Sequence, residues 1–333
     1  MPRRLALTVL LLLLVLGTTA RAETVIKFAT VAPRNSTWMT IMEQLDAEVQ
    51  QATGGAVKFK FYPGGVQGDE KDVIRKMRIG QLHGGGFTGV GMGLIQPNAR
   101  LLDLPYLFRS AAEVDTVLEG LFPTFATLFE EKDFILLGWA EVGFVHFFTR
   151  DPVRSLADLG RQKLWIWEGD PLAGAYFSEL GLKPIPLALP DVLTSFQTGL
   201  INGAYASPYG ASVLQWQSRV KYVSDPPMAC AAGAVLVSRR IWEEIPAAHQ
   251  ATVKEIARRR LRQLTAASRH DNQAALEAFL KAGIQRVTPV SEAEARGFET
   301  IGIRVQDKLA GSLYDAALLE RARVLIRARR AQP

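Results

Sequence analysis

Thr24-Val-Ile-Lys-Phe-Ala-Thr30, a polar-to-apolar repeat over residues 36–49, and Val57-Lys-Phe-Lys-Phe-Tyr62-Pro63-Gly64-Gly65 follow one another near the start of the chain. The first run is rich in β-branched and aromatic residues and reads as a strand. A helix is expected from about Ser36, because Ile41, Leu45 and Val49 recur every four residues and Gly54-Gly55 stops it. Val57 to Tyr62 alternates as a half-buried strand, and Gly68-Asp69 opens a second helix, with Val73 and Met77 one turn apart and Gly80 at its end. Strand, helix, strand, helix in this order indicates an α/β domain with a largely parallel sheet.

The second half repeats the logic with other residues. Lys163-Leu-Trp-Ile-Trp167 reads as a strand, residues 171–180 as a helix, and Lys183-Pro-Ile-Pro-Leu187 as a short strand. Residues 191–198 form another helix closed by Gly199, and Ile201-Asn-Gly-Ala-Tyr-Ala206 turns into a strand. Residues 247–282 differ. Val253, Ala257, Leu261, Leu264, Ser268, Ala275 and Phe279 keep a helical rhythm with no Gly or Pro between them. About 35 residues at about 1.5 Å each reach roughly 50 Å, more than one domain of this size is wide, so the helix is expected to cross two.

Composition narrows the function classes. Arg3 and Arg4, the apolar run 5–16 and Ala20-Arg-Ala22 have the form of a secretory leader cleaved after Ala22, which places the mature chain in the periplasm. The formal charge of +6 falls to +3 without Arg3, Arg4 and Arg21. Much of the remaining excess lies in Arg258-Arg-Arg-Leu-Arg262 and in residues 321–330, without the interleaved aromatics of a nucleic-acid platform, so no nucleic-acid partner is expected. Cys230 is the only cysteine and can form no internal disulfide.

Catalytic signatures are missing. No His-Glu-x-x-His, Gly-x-Ser-x-Gly or paired-cysteine spacing occurs. Gly84-Gly-Gly-Phe-Thr-Gly-Val-Gly91 lacks the Lys-Ser/Thr of a phosphate loop, and reads as a place where backbone approaches a ligand or an opposite domain closely. His83 and His146 read as structural. No catalytic residue, metal or cofactor is therefore assigned. Trp38, Phe87, Trp165, Tyr205 and Tyr209 fall near expected element ends, where α/β domains bind ligands.

Several segments in order resemble the solute-binding, DctP-type subunits of tripartite ATP-independent (TRAP) transporters. They are Thr53-Gly-Gly-Ala-Val-Lys-Phe-Lys-Phe-Tyr-Pro-Gly-Gly65, Gly80-Gln-Leu82, Leu102-Asp-Leu-Pro-Tyr-Leu-Phe108, the run from Pro184 to Gly203, Lys221-Tyr-Val223 and Val237-Ser-Arg-Arg-Ile-Trp-Glu-Glu-Ile-Pro246. The resemblance implies an α/β, two-lobed periplasmic binding protein (type II-like) with a long C-terminal helix spanning both lobes. Lobe I is expected at 23–142 with about 231–270 returning to it, and lobe II at 143–230 completed by about 271–333. It also implies a small organic ligand, carboxylate or apolar, closure on that ligand, and delivery to the small and large membrane permease subunits.

The departures from the resemblance bear on the ligand. Typical members hold a carboxylate with an arginine in a Lys-x-Arg strand, where this chain has Trp165 after Lys163. A second arginine, in a Gly-x-Arg segment, aligns with Val145. The expected ligand-binding set is Trp38, Phe87, Gly89, Val145, Trp165, Leu189, Tyr205, Ser207 and Tyr209. Neither Trp nor Val can replace the two charge-assisted hydrogen bonds of a guanidinium. A more apolar or aromatic-stacked ligand is expected, unless Arg34 or Arg150 anchors an acid instead. Two other classes stay open: a periplasmic hydrophobic-ligand carrier or scaffold acting with a lipoprotein partner, and an enzyme on the same fold.

Overall fold

A computed structural model describes residues 23–331; the expected leader and its cleavage after Ala22 lie outside them. In chain order the elements are β1 (Thr24–Thr30), α1 (Thr37–Thr53), β2 (Val57–Tyr62), α2 (Glu70–Arg78), β3 (Gly84–Thr88), α3 (Gly89–Ile95), α4 (Ala111–Glu130) and β4 (Phe134–Trp139). Then come β5 (Gly143–Thr149), α5 (Leu156–Gly160), β6 (Trp165–Trp167), α6 (Pro171–Glu179), β7 (Ile185–Leu187), α7 (Val192–Thr198), β8 (Gly203–Ala206) and α8 (Pro208–Val213). The chain closes with β9 (Tyr222–Ser224), β10 (Ala229–Ala231), β11 (Gly233–Ser238), α9 (Arg239–Glu244), α10 (Ala247–Lys281), β12 (Gln285–Val287), α11 (Glu292–Leu309) and α12 (Ala316–Arg330).

Two sheets define two lobes. The first has the order β2-β1-β3-β11-β4, with β1 parallel to β2 and β3, and β11 antiparallel to β3 and β4. The second runs β10-β5-β9-β12, with β8 also on β5, and β6 pairs with β7 beside it. Two adjacent strand passages, β4 to β5 and β10 to β11, connect them. They are tied together where Val142 N donates to Ala231 O at 3.0 Å and Ala140 N donates to Gly233 O at 2.7 Å.

Local sequence explains these elements. Phe59 and Phe61 of β2 turn inward to Phe28, while Lys58 and Lys60 point away, which is the alternation read from the sequence. Ser36 caps α1 by accepting from Met39 N at 3.2 Å, and Gly54, with φ of 61°, ends it in the left-handed conformation that glycine adopts without strain. The glycine run in β3 has a packing cause. A Cβ on Gly86 would lie 2.3 Å from the Trp38 ring, and one on Gly85 would lie 2.5 Å from the Phe87 ring. Rings of the same lobe fill the space, so the expectation of a gap held for a ligand or the opposite lobe needs correcting for this strand's middle.

The helix α10 has 35 residues and crosses both lobes. Its first half packs on α1 and β4, and its later part packs on α8 and β5. Val253, Ala257, Leu261 and Leu264 enter the first lobe's core, and Ala275 and Phe279 enter the second's. One expectation is corrected at the C-terminus. α11 lies on α6 and α5 of the second lobe, but α12 packs on α4 of the first, where Arg330 pairs with Glu113 at 2.9 Å. The charged run 321–330 did not point to this partner.

Leu261 fills the space left by Gly138 of β4, where a Cβ would meet its Cδ1 at 2.8 Å. Leu261→Ala is expected to lower stability by about 2–5 kcal/mol through the cavity it leaves, measured by urea unfolding.

Candidate functional site

Two adjoining cavities lie between the lobes. They enclose about 900 and 760 Å³, mouths included, and share walls at Thr88, Val142, Leu189, Ser207, Gly210 and Leu214. The structure places Gly89, Val145, Trp165, Leu189, Tyr205 and Ser207 around the first, and Trp38, Phe87, Leu189, Ser207 and Tyr209 around the second. All nine residues singled out from the sequence therefore converge on one cleft.

Their side chains do different things there. Trp165 is 1% exposed, stacks on Tyr205 with centroids 4.9 Å apart, and meets Trp216 edge-on at 5.6 Å. Its indole Nε1 donates to Leu187 O at 3.0 Å, so the polar handle of the ring is satisfied within β7. Burial holds the Tyr205 phenol well above its ordinary pKa, and it stays protonated. Trp38 and Phe87 pack mainly on their own lobe. Ser207 spends its hydroxyl capping α8, accepting from Gly210 N at 3.2 Å. Tyr209 accepts from Thr37 N at 2.9 Å through its hydroxyl, which ties the second lobe to the first.

The charged groups of the cleft were not found from the sequence. Arg100, in the 3-10 turn before Leu104, is 4% exposed. Its Nη1 donates to Asp103 Oδ2 at 2.5 Å, and its Nη2 donates to Asp170 Oδ1 and Oδ2 at 2.9 and 3.0 Å. Asp103 also accepts from Ala232 N at 2.7 Å. Asp170 caps α6, accepting from Leu172 N at 3.0 Å. Burial pushes the Asp103 carboxyl up to about 6, against the lowering effect of Arg100. Gly89 is required beside this cluster, since a Cβ would fall 1.3 Å from Asp103 Oδ2.

Glu70, 2% exposed, lines the second cavity. It accepts from Thr88 N at 2.8 Å, Thr88 Oγ1 at 2.9 Å and Gly91 N at 2.7 Å. Desolvation outweighs these bonds and pushes its carboxyl up to about 7. Glu141, on the same cavity, is held by Arg269 of α10, which also binds Asp115 at 2.6 Å. Asp69, one residue before α2, reaches across to Trp167 Nε1 at 2.8 Å.

Among the described residues, Arg100 is the one arginine or lysine on the walls of the two cavities. Arg150 lies in a different groove, donating to Arg219 O at 3.2 Å and to Phe196 O. Arg34 is exposed and lines neither cavity. Neither alternative anchor reaches the cleft. Cys230 is buried on the first cavity, where desolvation pushes its thiol well up, and His146 bonds Ser224 O at 2.7 Å as part of β5.

Comparison with known proteins agrees with this architecture. Residues 28–310 match the bacterial extracellular solute-binding protein family 7, DctP. A solute-binding protein of Chromohalobacter salexigens is 29% identical over 252 residues, 73% of either chain. The C4-dicarboxylate-binding periplasmic protein DctP of Rhodobacter capsulatus is 22% identical over 301 residues, 89% of this chain and 90% of that one. A TRAP periplasmic solute-binding protein from Chromohalobacter salexigens with bound D-glucuronate superposes with a TM-score of 0.83 at 24% identity, covering 90% of this chain and 99% of the other. One from Desulfovibrio salexigens with bound orotic acid gives 0.85 at 17%, covering 92% and 100%. The chain belongs to the bacterial extracellular solute-binding protein family 7.

The buried Glu70 makes a pH prediction. Its folded pKa lies above the ordinary 4.5, so its contribution is present below that value and lost as pH rises through about 7. The loss is of order 3 kcal/mol. Urea unfolding at successive pH values is expected to show wild type losing stability relative to Glu70→Gln between about pH 4.5 and 7; parallel curves would remove the effect.

Proposed function

We propose that this member of family 7 is the periplasmic receptor of a TRAP-type secondary transporter, and that its ligand presents an apolar or aromatic face to the interlobe cleft. The observation that carries the ligand reading is Trp165. The resemblance sets it where related proteins carry a carboxylate-binding arginine, and it is built into a cluster with Trp167, Tyr205 and Trp216. Val145, Leu189, Leu172 and Met228 extend the same surface around the first cavity.

The working cycle follows from the contacts between lobes. Arg100 to Asp170, Asp69 to Trp167, Thr37 to Tyr209, and Lys71 to Glu168 all join one lobe to the other. Opening breaks each of them, and a ligand that adds contacts to both lobes shifts the population toward the closed form. The closed form is then the species handed to the membrane permease subunits. His83 bonds Val25 O and His146 bonds Ser224 O, both away from the cleft walls, and Cys230 is a buried thiol.

Denaturing protein that has never been unfolded, and analysing what it releases by mass spectrometry, tests the ligand class. A molecule with an aromatic or extended apolar body at about one per chain is expected; a sugar acid or small dicarboxylate would overturn the apolar reading. Trp165→Ala is expected to weaken that ligand by about tenfold or more, with Trp165→Phe close to wild type, in calorimetric titration.

A further inference from the structure

The charges around the cleft restrict the ligand further. Four carboxylates, Glu70, Asp103, Glu141 and Asp170, stand on the walls of the two cavities, against the single guanidinium of Arg100. That guanidinium already serves two of them. Arg269, behind Glu141, is shared with Asp115, so this second group of three also sums to one negative charge. Glu70 has three neutral donors and, among the described residues, no ion-pair partner.

We propose that the closed cleft excludes molecules with net negative charge, and that its ligand is a neutral or singly cationic compound with an aromatic or aliphatic body. The inference rests on the reading that the ligand occupies this cleft. It departs from the uronates, orotate and dicarboxylate named for the relatives. A carboxylate brought into the cleft meets no free cation. To gain one, it must displace Asp103 or Asp170 from a guanidinium that is 4% exposed, leaving that aspartate buried without its partner. Like charges in a desolvated site disfavour one another. A hydroxyl, an amide or an ammonium meets the reverse situation, because every carboxylate oxygen on these walls is an acceptor.

Glu70 is the side chain that gives the cleft its sign most directly. It lines the second cavity with no ion-pair partner among the described residues, and the Gly91 backbone packs so closely on it that a Cβ there would lie 2.4 Å from Glu70 Oε2. With its proton it presents a neutral acid to a neutral ligand; without it, a carboxylate to an amine. The ionised state is a poor host for an anion.

The test uses two matched sets on the full mature protein by titration calorimetry: 2-phenylethylamine, 2-phenylethanol and phenylacetate, and octylamine, octanol and octanoate. In at least one set the amine or the alcohol is expected to bind about tenfold or more tightly than the acid. Glu70→Gln is expected to narrow that ratio. Acids binding as well as their partners overturn the inference, and so does a cleft that takes none of the six below about 1 mM. The arms also separate this inference from the one before it. If acids bind and Trp165→Ala weakens them, the apolar reading stands and the charge rule falls. If acids bind regardless of Trp165→Ala, both fall.

Discussion

The guanidinium of Arg100, held between Asp103 of its own turn and Asp170 of the opposite lobe, is the interaction on which the closed arrangement turns. Burying one cation and two carboxylates is tolerable only when each has partners with good geometry. Here the partners are spread through both lobes. Asp103 takes the backbone N–H of Ala232 at the crossing strands, and Asp170 takes the first turn of α6. The bridge thus fixes the crossing, the second lobe's cavity-lining helix and the absence of a side chain at Gly89 together.

The aromatic cluster is the complement of that bridge. Trp165, Tyr205 and Trp216 fill the second lobe's side with rings, and the Trp165 indole N–H and the Tyr205 hydroxyl are engaged within that lobe, so this wall offers mainly surface and shape. The first lobe offers acceptors. Rings and carboxylates stand side by side on both walls, since Asp170 belongs to the second lobe and Trp38 and Phe87 to the first, and neither feature depends on the loops at the surface. Both are set by strands and helix starts.

Much of the fold could be read from the chain because its signals are local. Ile41, Leu45 and Val49 announce α1, the Phe-Lys alternation announces β2, and uninterrupted periodicity announces α10. The nine cleft residues were reachable because ligand sites in such folds gather at strand ends, and because the resemblance points to the position of Trp165. The charged core of the site was not reachable. Asp103 sits inside the quoted Leu102-Asp-Leu-Pro motif and Asp170 in Gly-Asp-Pro, yet each reads locally as a turn residue. Their common partner follows only when segments 70 residues apart meet. The same limit misplaced α12. The basic run 321–330 gives no partner, and Arg330 finding Glu113 states where the helix packs.

The unbroken α10 has a mechanical consequence. Its early turns are fastened to α1 through Glu48 with Arg259 and Arg260, and its late turns are embedded in the second lobe, where Phe279 meets Phe148 at 5.9 Å. About three-quarters of the way along, Asn272 donates to Val142 O at 2.9 Å and accepts from Tyr209 N at 2.9 Å, joining crossing strand and second lobe at one point. The helix is therefore a lever with its fulcrum at that asparagine. The nine residues beyond it form an arm of about 14 Å, so a swing of about 20° carries its tip by about 5 Å. Without proline or glycine to kink it, the rod must take up such a swing as distributed curvature.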